Sequence, residues 1–269
     1  MKILLIADVH NRPKGSRETL EKLERVIADT ECDLIVFLGD IVHGPDTHEN
    51  YEHYLRQVLD LTGDKPFATV FGNHDDECET TKDEILSVIK SYKNSLTDGR
   101  NYAINMMGET LIFLDSGSYY DGEGSFYDTV KPEQIEFAKS QVNGGKAIVF
   151  QHIIVPDIMS ALDRSIIYKP KSVLAKGGFY RFKKSISYSG KLGELPCPPD
   201  INTGELESLA PYVKAMCFGH DHKNTFELDM MGVRLIQCAG SGSNSYDKNC
   251  PSTVKLLDTE TLDTKLIYV

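Results

Sequence analysis

Short, uninterrupted apolar runs recur along this chain, and a cluster of polar residues follows each of them. The runs are Ile3–Ala7, Leu34–Leu38, Pro66–Phe71, Ala147–Phe150 and Val213–Phe218. Strands of a sheet that is covered on both faces have this continuous apolar pattern, whereas half-exposed strands alternate. The pattern therefore predicts an α/β fold in which several strand ends lie along one edge of a sheet.

Stretches with helical spacing separate these runs in the first two-thirds of the chain. The predicted helices are Glu18–Ile27, Tyr51–Leu61, Lys82–Tyr92 and Pro132–Val142. After residue 222 the strand-like runs follow one another with no helix between them: Thr225–Leu228, Val233–Cys238, Thr253–Leu257 and Thr264–Tyr268. We expect these four to form an antiparallel second sheet. The predicted architecture is two packed sheets flanked by helices, within one domain, 1–269.

The polar clusters at the strand ends contain two Asp, one Asn and four His that form a candidate metal-binding set. They are Asp8, His10, Asp40, Asn73, His152, His220 and His222. In open α/β sheets, ligands bind outside the carboxyl ends of the strands. Side chains alternate along a strand, so Asp8 and His10 point the same way. Because one carboxylate can bridge two metal ions, the set predicts a two-metal centre of a metal-dependent hydrolase, with Asp40 as the bridge.

The motifs also occur in an order that resembles a known family. Asp-x-His at residue 8, Gly-Asp at 39, Gly-Asn-His-Asp at 72, a single His at 152 and Gly-His-x-His at 219 resemble the motifs of the calcineurin-like metallophosphoesterases. The resemblance extends from residue 8 to 222. It implies a four-layer α/β/β/α sandwich of two mixed sheets flanked by helices, which agrees with the strand pattern.

The same resemblance implies a role for each site residue. One metal ion would be held by Asp8, His10, Asp40 and His222, and the other by Asp40, Asn73, His152 and His220. His74 would stabilise or protonate the leaving oxygen, with Asp75 orienting it. The cofactors expected are two divalent transition-metal ions, and Mn, Fe, Zn and Co all accept such ligands.

Within the family, three stretches of the chain resemble the purple-acid-phosphatase-like phosphatases: Ile35–Asp40, Phe218–Asn224 and Gly240-Ser241-Gly242. There are two departures. Purple acid phosphatases have an iron-binding Tyr three residues after the bridging Asp, and His43 stands there in this chain. They also carry Asp-x-Gly where this chain has Asp8-Val9-His10. We therefore expect neither the purple colour nor an obligate ferric site.

A basic segment follows His152. Residues 164–191 contain eight Lys or Arg and no acid, in a chain of net charge −11. The wider stretch 163–199 lacks periodicity and is expected to be an irregular insertion. It is either a lid that binds an anionic substrate through Lys169, Lys171 and Arg181, or a mobile solvated loop. His43 either contacts the substrate or only covers the rim of the site.

The remaining composition excludes several classes of protein. The acidic net charge argues against a long nucleic acid as a partner, and nothing in the sequence indicates a protein partner. The N-terminal apolar run is too short for a signal sequence or a membrane span. We therefore expect a cytoplasmic location and no membrane partner. The six cysteines lack metal-ligand spacing and are expected to be free thiols, and His48 and His53 are expected on a solvent-facing helix.

Three functions remain open. The first is a phosphomonoesterase that acts on a small phosphorylated substrate by direct attack of a hydroxide shared between the two metals. The second is a phosphodiesterase acting on cyclic nucleotides or nucleotide pyrophosphates. The third is a non-catalytic scaffold that keeps the fold and binds a protein partner.

Overall fold

Two large β-sheets pack face to face in the computed structural model, which describes residues 1–47, 50–122, 126–242 and 250–269. The first sheet has five strands: β1 (Lys2–Ile6), β2 (Leu34–Leu38), β3 (Phe67–Val70), β14 (Thr253–Asp258) and β15 (Thr264–Tyr268). Their order is β15-β14-β1-β2-β3, and the β1, β2 and β3 strands are parallel.

The second sheet has seven strands in the order β10-β12-β13-β11-β6-β5-β4. They are β4 (Tyr102–Met106), β5 (Glu109–Phe113), β6 (Ala147–Phe150), β10 (Tyr188–Ser189), β11 (Val213–Phe218), β12 (Glu227–Met230) and β13 (Val233–Gln237). The four strands β5, β6, β11 and β13 are parallel, and the outer strands are antiparallel. Both sheets are therefore mixed.

Helices cover the outer face of each sheet. They are α1 (Arg17–Asp29), α2 (Gly44–Thr47), α3 (Tyr51–Leu59), α4 (Lys82–Lys90), α5 (Pro132–Gln141) and α6 (Glu205–Leu209). Leu23 of α1, Leu55 of α3 and Ile85 of α4 pack on the outer face of the first sheet, and Ile135 of α5 and Leu206 of α6 on that of the second. The inner faces of both sheets share a third core cluster. The predicted four-layer α/β/β/α sandwich is confirmed.

The strands after residue 222 correct one prediction. They do not form a sheet of their own, because β12 and β13 belong to the seven-stranded sheet and β14 and β15 to the five-stranded one. The β14 strand pairs antiparallel with β1 at the middle of the first sheet. Apolar pattern identifies a strand, but it does not identify the strand's neighbour.

The basic segment also differs from the expectation of irregular structure. Three strands, β7 (Leu162–Ser165), β8 (Val173–Ala175) and β9 (Gly178–Phe182), form a small antiparallel sheet. The β8–β9 turn is Lys176-Gly177, with φ angles of 43° and 69°, as a two-residue hairpin requires. Leu162 and Phe182 are buried against the outer core of the seven-stranded sheet. The expectation was wrong for residues 163–182, because strands this short do not show a periodicity.

Two smaller observations complete the fold. His53 is exposed on α3 as expected, whereas His48 lies outside the described residues. In the described part of the chain, no helix has both the length and the apolar character needed to cross a bilayer.

Candidate metal centre

All seven predicted metal ligands lie at the carboxyl ends of strands that come from both sheets. Asp8 and His10 follow β1, Asp40 follows β2 and Asn73 follows β3 in the first sheet. His152 follows β6, and His220 and His222 follow β11, in the second. The structure therefore brings the predicted residues together at one end of the sandwich, between the two sheets.

Asp8, His10 and His222 form one candidate ion-binding group. Their ligand atoms all lie within 4.8 Å of one another. The Nε2 atoms of His10 and His222 are 3.1 Å apart, and His222 Nε2 is 3.3 Å from Asp8 Oδ1. Asp8 Oδ2 accepts a hydrogen bond from the His220 backbone N–H at 2.9 Å, which leaves Oδ1 facing the two imidazoles.

Asp40, His152 and His220 form a second group by the same distance criterion. His152 Nε2 is 3.2 Å from Asp40 Oδ2 and 3.3 Å from Asn73 Oδ1. His152 Nδ1–H donates to the Leu38 carbonyl at 2.6 Å, which directs Nε2 toward the site. The amide oxygen of Asn73 thus faces the second group, as its predicted role requires.

Asp40 lies between the two groups. Its Oδ2 is 3.2 Å from His152 Nε2 and 3.8 Å from His10 Nε2, and its Oδ1 accepts from the His74 backbone N–H at 2.9 Å. Burial alone raises a carboxyl pKa, but the neighbouring imidazoles, His152 above all, hold the pKa of Asp40 well below its usual value. Asp40 is therefore an anionic carboxylate placed where a bridging ligand would be.

The backbone at these positions is unusual. Asp8, His10, Asp40 and His220 have φ angles of 48°, 48°, 49° and 72°. Positive φ is uncommon for residues other than glycine and is tolerated when the surrounding structure requires it. The strands end in these conformations, which turn the ligand side chains into the space between the sheets.

The donor set fits a pair of divalent transition-metal ions. Asp8 Oδ1 is fully buried and accepts no hydrogen bond from any residue that the structure describes. Imidazole nitrogens, carboxylate oxygens and one amide oxygen are the ligands that Mn, Fe, Zn and Co share. A buried, unsatisfied carboxylate oxygen beside two imidazoles is the arrangement that a bound cation stabilises.

His74 is beside the centre, but Asp75 does not occupy the orienting position expected for it. The Asp75 carboxylate accepts hydrogen bonds from Tyr51 Oη and from the Gly72 backbone N–H. The carboxylate that contacts His74 Nδ1 is that of Glu77. Glu77 is held in turn by Tyr119 Oη, which donates to its other oxygen at 2.5 Å.

The local helix explains this correction. Residues Asn73–Asp76 form a 3₁₀ turn, and residues three apart lie on the same side of such a turn. The spacing His74-x-x-Glu77 was therefore the signal in the sequence, and adjacency to Asp75 was misleading. Burial and the nearby Asp40 charge raise the pKa of Asp75 to about 7.

His43 lies next to His74. Its ring centroid is 4.9 Å from that of His74 and 5.5 Å from that of His10. Its Nδ1 is 3.2 Å from the Asp46 carboxylate. The structure thus places His43 at the rim of the centre, beside His74.

A pocket of about 180 Å³ opens beside the candidate ligands. Besides ligand residues and His74, its described lining consists of Tyr119, Tyr127, Glu194, Cys197 and Asp221. Lys169, Lys171 and Arg181 are not among these lining residues; they lie on the small sheet and its loop. The structure does not bring the three predicted lid residues to the pocket.

Known proteins resemble this chain in sequence. A family model described as calcineurin-like phosphoesterase matches residues 1–224. A relative in Arabidopsis thaliana, named probable inactive purple acid phosphatase 14, is 28% identical over 260 residues, covering 85% of this chain and 63% of the relative. The phosphatase DCR2 of Saccharomyces cerevisiae is 25% identical over 271 residues, covering 87% of this chain and 43% of DCR2. The chain thus spans less than two-thirds of the length of either relative.

The fold is also similar to that of a solved structure. A dimetal phosphatase from Danio rerio superposes with a TM-score of 0.63 over 100% of this chain and 98% of its own, at 14% sequence identity. At that identity the likeness concerns the fold alone.

Proposed function

Since the chain belongs to the calcineurin-like phosphoesterase family, we propose that it is a dinuclear-metal-dependent phosphoesterase that hydrolyses small phosphate monoesters. The observation that carries this proposal is the position of Asp40 Oδ2, within 4 Å of an imidazole nitrogen from each candidate group. When bound, the two ions would supply Lewis acidity and a water of lowered pKa to the reaction.

The chain's own residues divide the remaining tasks. Asp8, His10, Asp40 and His222 would hold one ion, and Asp40, Asn73, His152 and His220 the other. His74 would donate a proton to the leaving oxygen, or a hydrogen bond to its developing charge, in either case from Nε2 because Nδ1 contacts Glu77. No covalent phosphoenzyme is needed, since water is the nucleophile.

The size of the pocket supports a small monoester over a nucleotide. Pockets for drug-sized ligands have volumes of roughly 300–1,000 Å³, and this one is about 180 Å³. Cyclic nucleotides and nucleotide pyrophosphates would place a base and a ribose beyond it. The monoester is therefore the first candidate and the diester the second.

The test is hydrolysis of p-nitrophenyl phosphate and bis-p-nitrophenyl phosphate by metal-stripped protein with Mn, Fe, Zn, Co, Ni or Mg restored. We expect turnover with a transition metal, and a higher kcat/KM for the monoester. The Asp40→Ala variant should lose both metal and activity, whereas the control Asp98→Ala, at an exposed side chain, should keep both.

Two results would contradict the proposal. Two bound metal equivalents without turnover of any phosphate ester would favour the scaffold function, a possibility that the names of several plant relatives raise for those proteins. A protein that binds no metal would exclude the dinuclear centre itself.

A further inference from the structure

The pocket beside the candidate ligands has an aromatic wall. Tyr119 and Tyr127 pair across an antiparallel bridge, with ring centroids 5.7 Å apart. Phe126 contacts both rings, at 5.5 and 4.8 Å. The Tyr127 ring meets the His220 ring edge-on at 4.4 Å, so the aromatic wall begins directly at a candidate metal ligand. The faces of such rings carry partial negative charge.

The pocket also has an acidic wall. Glu194 lines it, and its Oε1 accepts from the Lys223 backbone N–H at 2.8 Å, which fixes the position of the carboxylate. Asp221 lines the same side of the pocket, and its Oδ1 accepts a hydrogen bond from the Cys197 backbone N–H at 3.1 Å. Two carboxyl side chains, those of Glu194 and Asp221, therefore lie on this side of the pocket.

The described lining residues contain no Lys or Arg. Among the described lining residues, an anionic substituent on the substrate would meet the Glu194 carboxylate and the tyrosine rings, with no cationic side chain to offset them. A cationic substituent would be attracted by both. Aromatic rings attract ammonium groups that lie close to them, and quaternary ammonium ligands are recognised by aromatic groups of this kind.

On the basis of the phosphoesterase function above, we propose that the pocket selects phosphate monoesters whose alcohol carries an ammonium group, of the size of phosphocholine or phosphoethanolamine. The phosphate would lie against the metal ligands, and the ammonium group between the Tyr119–Tyr127 wall and Glu194. The small volume fits a two-carbon amino alcohol.

The reaction keeps the balance of ordinary ester hydrolysis. An oxygen of water forms a bond to phosphorus, and the bond between phosphorus and the ester oxygen breaks. The ester oxygen leaves with the bonding electron pair and takes a proton, so the products are inorganic phosphate and a free amino alcohol. No oxidant or further co-reactant takes part.

The first experiment compares phosphocholine with 3,3-dimethylbutyl phosphate, in which carbon replaces the nitrogen and the shape is kept. The metal-loaded protein should show a kcat/KM at least about tenfold higher for phosphocholine, which corresponds to about 1.4 kcal/mol. The Glu194→Gln variant keeps an acceptor for Lys223 N–H and removes the charge. In this variant the ratio of kcat/KM for phosphocholine to that for 3,3-dimethylbutyl phosphate should fall severalfold. The control Glu207→Gln, at an exposed residue, should leave this ratio unchanged.

A binding measurement separates this proposal from the phosphoesterase function. Zinc-loaded protein is titrated with tetramethylammonium and with its neutral analogue 2,2-dimethylpropane near its solubility limit, and binding is followed by saturation-transfer NMR. We expect contacts from Tyr119 or Tyr127 to the ammonium probe, reduced in Tyr127→Leu and unchanged in the control Tyr212→Leu.

The outcomes are distinguishable. Equal kcat/KM values for phosphocholine and its neutral analogue would overturn the ammonium pocket while leaving the phosphoesterase intact. Tetramethylammonium binding without hydrolysis of any ester would support the pocket and contradict the catalytic function. Absence of both binding and charge preference would overturn the pocket.

Discussion

Four candidate metal ligands, Asp8, His10, Asp40 and His220, hold backbone conformations that are sparsely populated by residues other than glycine. Each such residue costs about 1–3 kcal/mol. The hydrogen bonds from the His74 and His220 backbone N–H groups to Asp40 and Asp8 offset part of this cost. The remaining strain lowers the stability of the fold, and in return the ligand atoms are already close together before any ion is bound.

The first prediction concerns the close approach of Gly72 to Asp40. A Cβ atom at residue 72 would overlap the Asp40 carboxylate and backbone nitrogen. Gly72→Ala should therefore displace the bridging carboxylate and lower metal affinity by at least about tenfold, measured by isothermal titration calorimetry. The control is Gly99→Ala, where the nearest atom to a Cβ is 3.6 Å away. Unchanged metal affinity in Gly72→Ala would show that Asp40 does not bridge the ions.

The second prediction concerns the pair formed by His74 and Glu77. His74→Ala should keep the metal and lower kcat by about 10²–10⁴-fold, as expected for the loss of a general acid. Glu77→Gln should keep the metal and lower kcat by less than His74→Ala does, because the amide can still accept a hydrogen bond from His74 Nδ1 but no longer carries the negative charge beside it. The exposed Glu79 provides the control Glu79→Gln. Mass spectrometry measures the metal content of each variant, and hydrolysis of p-nitrophenyl phosphate measures its kcat. A His74→Ala enzyme of unchanged kcat would exclude the role proposed for His74.

At the scale of the elements, the sequence predicted some features well for a physical reason. A strand buried on both faces must be apolar throughout, so β1, β2, β3, β6 and β11 were recognisable, and so were the polar residues at their ends. The sequence did not reveal which strands pair with β12 to β15, nor the short strands β7 to β9. Strand pairing is decided by contacts between segments that are distant in the sequence. The contact between Glu77 and His74 was missed for a related reason, since it depends on the geometry of one 3₁₀ turn.

The third prediction concerns a buried carboxyl group in α6. Glu205 is 2% exposed, and its Oε2 accepts a hydrogen bond from Gln151 Nε2 at 3.4 Å. Gln151 directly precedes the candidate metal ligand His152. Burial raises the pKa of Glu205 from 4.5 to about 8. The folded protein therefore binds a proton that the unfolded chain has lost, so the stability contribution is most favourable below pH 4.5 and decreases as the pH rises to about 8.

Glu205→Gln removes this decrease because the amide stays neutral. The melting temperature of the variant should match that of the natural protein near pH 5 and exceed it at pH 8.5, by roughly 2–4 °C for each kcal/mol. Glu207→Gln, at an exposed position of the same helix, is the control. A difference in melting temperature that is equal at both pH values would contradict the burial effect.

At the scale of the whole molecule, the two sheets are joined at one end by the candidate metal centre. Asp8, His10, Asp40 and Asn73 come from loops of the five-stranded sheet, and His152, His220 and His222 from loops of the seven-stranded sheet. An ion bound by both sets would tie the sheets together. Because only the folded chain presents both sets, binding should raise the stability by RT ln(1 + [metal]/Kd), about 2.7 kcal/mol at a free concentration of one hundred times Kd.

The fourth prediction is that this metal binding depends on pH. Burial lowers the pKa of the His152 imidazole, but Asp40, 3.2 Å away, and further carboxylate and carbonyl groups raise it to about 10 overall. In the metal-free protein His152 is therefore protonated at neutral pH, and a metal ion must displace that proton to bind. Affinity should rise about tenfold per pH unit for each proton released, between pH 6 and 8. Calorimetry in two buffers of different ionisation enthalpy counts the protons released when the metal binds, and Asp98→Ala serves as the control. A metal affinity that is constant from pH 6 to 8 would mean that His152 is neutral before the ion binds.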